Sequence, residues 1–175
     1  MNVPPHPDEW LRLKVLEELA VTDHIPDAAV DQITAHAREW FKVPVCLVTL
    51  IEAERQVIVS RQGLEITETP RNVSFCTHTI LTNEVLVVTD THQDDRFRSN
   101  PFVAGEPHIR FYAGAPLIYQ GENRLGSLCL LDFRPRTFSR AEQTELTRLA
   151  EHVVSILIRR AYGLSVPDMS AALAG

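Results

Sequence analysis

Two pairs of β-rich segments, each pair joined by only a few polar residues, constrain this chain most. Val45–Ile51 is apolar at nearly every position, as expected of a strand buried on both faces, and Gln56–Arg61 follows it after Glu52-Ala53-Glu54-Arg55. Phe111–Tyr119 and Arg124–Leu131 form the second pair, linked by Gln120-Gly121-Glu122-Asn123. Connections this short leave no room for a crossover, so each pair reads as an antiparallel hairpin. Hairpins near both ends of a chain imply a mainly antiparallel sheet, to which Val85–Val88 adds a short strand.

The remaining regular segments are helical. Leu11, Val15, Leu16, Leu19 and Ala20 have helical spacing between Trp10 and Val21. Val30, Ile33, Ala37, Trp40 and Phe41 repeat at three and four, which predicts a helix over Pro26–Phe41, stopped by Pro44. Ser139-Arg140-Ala141-Glu142 fits a capping box and opens a long helix with Leu146, Leu149, Val153, Ile156 and Leu157 on one stripe. Ser74 is placed to cap a short helix running to about Leu81, and residues 63–72 read as a loop. Thr89 to His108 is long, polar and interrupted by Pro101, Gly105 and Pro107; such segments in small domains are usually functional or carry short helices. The predicted fold is α+β: an antiparallel sheet of five or six strands, long helices on one face, and a loop and short-helix face for a ligand on the other. Residues 1–9 and 163–175 read as flexible tails around one domain, 10–162.

Composition narrows the class. The chain has 175 residues, 45% hydrophobic and 23% charged, with a net charge of -6 and both signs scattered. That size supports a core without disulfides or metal. Scattered charge argues against a nucleic-acid surface, and no apolar run reaches the length of about 18 residues that a membrane span needs. The proline-rich N-terminus lacks the apolar core of a signal peptide, so a cytoplasmic location is expected. Cys46 and Cys129 lie in apolar runs and read as small buried hydrophobes, inert as thiols; no Cys-x-x-Cys occurs.

The stretch from Ser74 to Asp132 carries the functional signal. It contains Ser74-Phe75-Cys76-Thr77-His78-Thr79-Ile80, then Asp95-Arg96-Phe97 and Asn100-Pro101, then His108-Ile109-Arg110-Phe111-Tyr112-Ala113-Gly114-Ala115-Pro116-Leu117, and ends in Gly126-Ser127-Leu128-Cys129-Leu130-Leu131-Asp132. Together these motifs resemble a GAF domain, of the bacterial subgroup found N-terminal in sensor histidine kinases and diguanylate cyclases. The resemblance covers roughly Leu11 to Arg160 and implies a profilin/PAS-like architecture, with a ligand cavity between the sheet and the segment Ser74–Tyr112. It implies a non-catalytic, small-molecule-sensing module in signal transduction, with a kinase or cyclase as output partner. No histidine-kinase, GGDEF or EAL segment follows here, so the chain is either stand-alone or part of a longer signalling protein.

Within that region Phe75, Phe97, Phe111 and Tyr112 are expected as cavity walls, and Cys76, His78, Asp90, Asn100, His108 and Arg110 as further ligand contacts. Arg110 is the one fixed cation of the set, which points to an anionic or carboxylate-bearing ligand. The opposing reading makes Asp90, Asn100 and Arg110 structural pins for the long loop, with Arg110 paired to Asp90 or Asp132. No metal and no cofactor is expected. Cys76 and His78 point about 200° apart on a helix, and His108 alone does not complete a ligand pattern. Bilin-binding relatives commonly have Cys-His, whereas Thr77 intervenes here. Free-methionine-sulfoxide reductases are small GAF proteins, and a redox enzyme of that type is the alternative, but their cysteine motifs do not match. A ligand-free interaction module is a further alternative. The Asn-Lys-Phe-Asp-Glu motif of cyclic-nucleotide GAF domains is absent. Apolar stripes on Leu11–Ala20 and on the helix from Ser139 to Arg160 lead to the expectation of a homodimer.

Overall fold

The computed structural model describes residues 3–21 and 25–174. Six strands, β1 (Val45–Ile51), β2 (Arg55–Gln62), β3 (Glu68–Pro70), β4 (Leu86–Val88), β5 (Phe111–Tyr119) and β6 (Asn123–Asp132), form one sheet in the order β3-β2-β1-β6-β5-β4. Every pairing is antiparallel. Both predicted hairpins are present. In the β5–β6 turn, Gln120 and Gly121 both have positive φ (49° and 77°), the conformation that matches the twist of a tight hairpin. The predicted loop 63–72 contains β3. Its Pro70 carries no N–H to donate, which an edge strand tolerates.

The helices are α1 (Glu9–Leu19), α2 (Ala28–Phe41), α3 (Cys76–Thr79), α4 (Pro101–Ala104), α5 (Arg140–Ala161) and α6 (Ser170–Leu173). Asp27 caps α2 through the amides of Ala29 and Val30, and its other oxygen takes a 2.6 Å hydrogen bond from Arg160 of α5. The capping box of α5 is complete: Glu142 N donates to Ser139 Oγ at 3.2 Å, and Ser139 N to Glu142 Oε2 at 2.6 Å. Ser74 caps nothing; its hydroxyl donates instead to Gln56 at 2.6 Å, and α3 starts without a side-chain cap.

The alternation of strand residues divides the core in two. Cys46, Val48, Phe111, Ala113, Leu128 and Leu130 pack with α2 and α5. Val45, Leu47, Tyr112, Cys129 and Leu131 pack on the other side with Phe75, Cys76, Phe97, Val103 and Ile109. The long helices therefore cover one face, and α3, α4 and the segment around them cover the other.

The terminal segments depart from expectation. On α1 the inward row is Arg12, Leu16 and Leu19, while Leu11 is 47% exposed. Arg12 is fully buried because Glu9 accepts two hydrogen bonds from its guanidinium, at 2.9 and 2.8 Å, and the Arg124 carbonyl accepts a third at 3.4 Å. The expected tails also pack: His6 and Met169 are buried, and Arg148 donates to the Ala172 carbonyl at 2.9 Å. The stripe on α5 is used up within the domain, since Leu146, Leu149, Val153, Ile156 and Leu157 are all buried against its own core.

Candidate functional site

A cavity of about 280 Å³ opens on the face away from α2 and α5. Its floor is the sheet: Leu47 of β1, Tyr112 of β5, and Cys129 and Leu131 of β6. Cross-strand pairing sets these residues side by side, Leu47 against Cys129 and Tyr112 against Leu131. Val73, Ser74, Phe75 and Cys76 close one side, Leu64 and Ile66 another, and Phe102, Glu106, Pro107 and Ile109 a third. The polar lining groups are largely spent on one another. Gln56 donates to Thr69 at 3.1 Å and accepts from Ser74 at 2.6 Å. Among the described residues Glu106 is the one charged residue of the lining, and its side chain is 90% exposed. What faces the space is mainly carbon.

Of the ten expected wall and contact residues, Phe75, Cys76 and Tyr112 line this cavity, while Phe111 packs on the opposite face of the sheet with α2 and α5. Phe97 stands one layer behind: it is fully buried and stacks on Phe75 with ring centroids 4.5 Å apart. His78 meets Phe97 edge-on at 4.7 Å, outside the cavity, and its buried Nε2 has no hydrogen-bond partner. Burial, with the positive charge of Arg96, holds the His78 imidazole below its ordinary pKa and therefore neutral. Asn100 is fully buried and pins the loop, donating to the Val73 carbonyl at 2.8 Å and accepting from Phe102 N at 2.9 Å. His108 is exposed and lies 3.5 Å from Glu106.

Arg110 is the principal correction. Its guanidinium donates two 3.1 Å hydrogen bonds to Asp90, and neither residue lines the cavity. Hydrogen bonding from Arg110 holds the Asp90 carboxyl below the usual range. Asp90 also accepts from His92 N, closing a short turn. The pair stands 29% and 21% exposed, so it is a half-solvated clamp with no cation to offer an anion in the cavity. Arg110→Ala should lower stability by about 1 kcal/mol or less and leave cavity binding intact, as read by urea unfolding and by ligand titration. A larger loss would show the pair to be a buried one.

Both strand cysteines are buried, as expected. Cys46 faces the helices, and burial pushes its thiol up. Cys129 faces the cavity instead, with its sulfur 3.8 Å from that of Cys76. The Tyr112 and Ser127 hydroxyls lie 3.3 and 3.4 Å from Cys76 Sγ. Burial alone would raise the Cys76 thiol, but hydrogen bonds from Cys129, Ser127, Thr49 and Tyr112 outweigh it and bring it below its ordinary value. Cys129, hydrogen-bonded to Cys76 and buried, is driven well above. Strand parity, counted from Tyr112 across the β5–β6 pairing, is the sequence signal that would have placed Cys129 and Leu131 here. Leu64, Ile66 and Glu106 come from irregular segments and carry no such signal.

The GAF domain family model matches residues 26–157, and the chain belongs to that family. It is 42% identical over 137 residues to a protein of Pseudomonas aeruginosa named cyclic di-GMP phosphodiesterase. That match takes in 78% of this chain, which spans only 23% of the relative's length. Among solved structures, the GAF domain of a phosphoenolpyruvate-protein phosphotransferase from Coxiella burnetii is similar at TM-score 0.65 and 20% identity, over 87% of this chain and 96% of that one. Free methionine-R-sulfoxide reductase from Neisseria meningitidis, in complex with its substrate, is similar at TM-score 0.63 and 18% identity, over 93% and 97%. At these identities the structural likenesses establish the shared fold. Among the described residues no helix is long and apolar enough to cross a membrane.

Proposed function

We propose that this GAF domain is a non-catalytic sensory module whose cavity takes a small, predominantly apolar molecule. The carrying observation is the lining: Leu47, Leu64, Ile66, Phe75, Phe102 and Ile109 present carbon, and the polar side chains among them are already hydrogen-bonded to each other. About 280 Å³ is at the small end of ligand sites. The floor residues lie on β1, β5 and β6, whose opposite faces carry α2 and α5, so a shift of the sheet reaches the long helices directly. Occupancy moves that equilibrium only as far as the ligand prefers one arrangement over the other. The likeness to a protein named cyclic di-GMP phosphodiesterase supports a role in cyclic-dinucleotide signalling, with phosphodiesterase activity as the output. Reduction of free methionine sulfoxide is less well supported, because among the described residues no Lys, Arg or His lines the cavity to meet an amino-acid carboxylate.

The test uses 2-phenyl-2-propanol as a neutral apolar probe in calorimetric titration of the reduced chain, with Ile66→Trp as the blocked form. Ile66 sits at the rim and is 37% exposed, so an indole there fills space at modest cost to the fold. Saturable binding to the wild type, weakened at least about tenfold in Ile66→Trp, is expected. Absence of binding to the wild type, or equal binding to both, would overturn the assignment.

A homodimer is part of the same proposal. With the α5 stripe buried, the exposed apolar side chains at the start of α1 and the end of α5 include Trp10 (74%), Leu11, Tyr162 (63%) and Leu164 (52%). A dimer mass in light scattering at micromolar concentration, reverting to monomer in Trp10→Glu/Leu11→Glu, is expected; a wild-type monomer would refute it.

A further inference from the structure

We propose that Cys76 and Cys129 form a reactive dithiol in the cavity wall, converted to a disulfide by small apolar hydroperoxides that enter the cavity. This rests on the reading of the cavity as an apolar ligand site.

Three observations carry it. The sulfurs are 3.8 Å apart and both residues line the cavity, so an entering molecule meets the pair directly. Cys129 is fixed in β6, whereas Cys76 sits on the single turn of α3, which starts without a side-chain cap. A displacement of about 1.8 Å brings the sulfurs to bonding distance, and a one-turn helix can supply it without disturbing the ladder. Finally, Cys76 Sγ is surrounded by hydrogen-bond donors that favour its thiolate. Tyr112 and Ser127 approach at 3.3 and 3.4 Å, and Thr79 lies 2.6 Å from the Tyr112 hydroxyl. Burial and the neighbouring thiols keep the Tyr112 phenol protonated, so it acts as a donor.

The chemistry balances in two displacements. The Cys76 thiolate attacks the terminal oxygen of the hydroperoxide; a sulfur–oxygen bond forms and the oxygen–oxygen bond breaks. The departing alkoxide takes the proton that Cys76 gave up, leaving as an alcohol and leaving Cys76 as a sulfenic acid. Cys129 then attacks the Cys76 sulfur, the disulfide forms, and the sulfenic oxygen leaves as water with the Cys129 proton. The peroxide is reduced to alcohol and the dithiol is oxidised. Apolar walls favour an organic hydroperoxide and leave Cys46, on the other face of the sheet, untouched.

The experiment treats the reduced chain with stoichiometric cumene hydroperoxide and maps cysteines by mass spectrometry of non-reduced digests. The expected result is a Cys76–Cys129 linked peptide, a chain lighter by its two thiol hydrogens, and a free Cys46. Ile66→Trp should slow the reaction at least about tenfold, and Cys129→Ser should leave a sulfenic acid on Cys76 that dimedone traps. No linked peptide in the folded wild type, or equal rates in wild type and Ile66→Trp, would overturn the proposal; the wild-type digest decides even if a variant fails to fold. Binding of 2-phenyl-2-propanol, the alcohol product, separates the two readings. If it binds while the hydroperoxide leaves both thiols free, the dithiol fails and the cavity assignment stands. If it does not bind, the cavity assignment itself fails.

Discussion

Phe97→Ala should destabilise the chain by about 3–5 kcal/mol and remove cavity binding along with stability. Phe97 is fully buried, and its ring lies nearly parallel to Phe75, with an interplanar angle of 8°. Phe75 in turn stacks on Tyr112 at 5.1 Å, so three rings connect the segment between β4 and β5 to the sheet. His78 leans edge-on against Phe97, and Arg96 lies over it at 5.1 Å. Truncation removes the outer ring of that stack and leaves a void behind the cavity wall, into which Phe75 can turn. Urea unfolding reads the first effect, and titration with 2-phenyl-2-propanol at low temperature reads the second. A loss under about 1 kcal/mol, or unchanged binding, would show that the stack does not hold the wall.

Gly126→Ala should cost about 3 kcal/mol or more and leave little folded chain. A methyl group at Gly126 would stand 1.8 Å from the Thr49 carbonyl oxygen and 2.7 Å from its carbon. These are backbone atoms of β1, at the place where β1 pairs with β6 in the middle of the sheet. A flexible side chain could swing away; a paired strand can give way only by opening its ladder. Gly121→Ala is the control. It has positive φ but nothing within 4 Å of the added methyl, so it carries backbone strain alone, about 1 kcal/mol. Far-ultraviolet circular dichroism and thermal melting compare the two. Equal melting temperatures would mean that β1 and β6 yield more easily than their central position implies.

The contrast between these glycines and the expected site residues shows what was legible in the chain beforehand. Apolar β-rich runs, short polar connections, the three-to-four repeat and the capping box placed β1 and β5 with their observed ends, the hairpins, α2 and the start of α5, because each depends on neighbours within a few residues. The GAF-like motifs between Ser74 and Asp132 located the cavity on the correct face. They did not separate wall from pin. Arg110 and Asp90 are 20 residues apart, and only the fold brings them together; Asn100 reaches Val73, and Phe97 finds Phe75, by the same route. Arg12 is buried beside its helical neighbour Glu9 only where the fold also brings the Arg124 carbonyl to it.

The sequence by itself determined the class of fold, the family and the segment that builds the site, since hydrophobic period and turn chemistry act locally. Tertiary structure alone decided that the cavity is apolar and that its expected cation is committed to Asp90. It alone decided that Cys129 faces Cys76, because contacts across 53 residues follow from strand register and packing rather than from any local pattern.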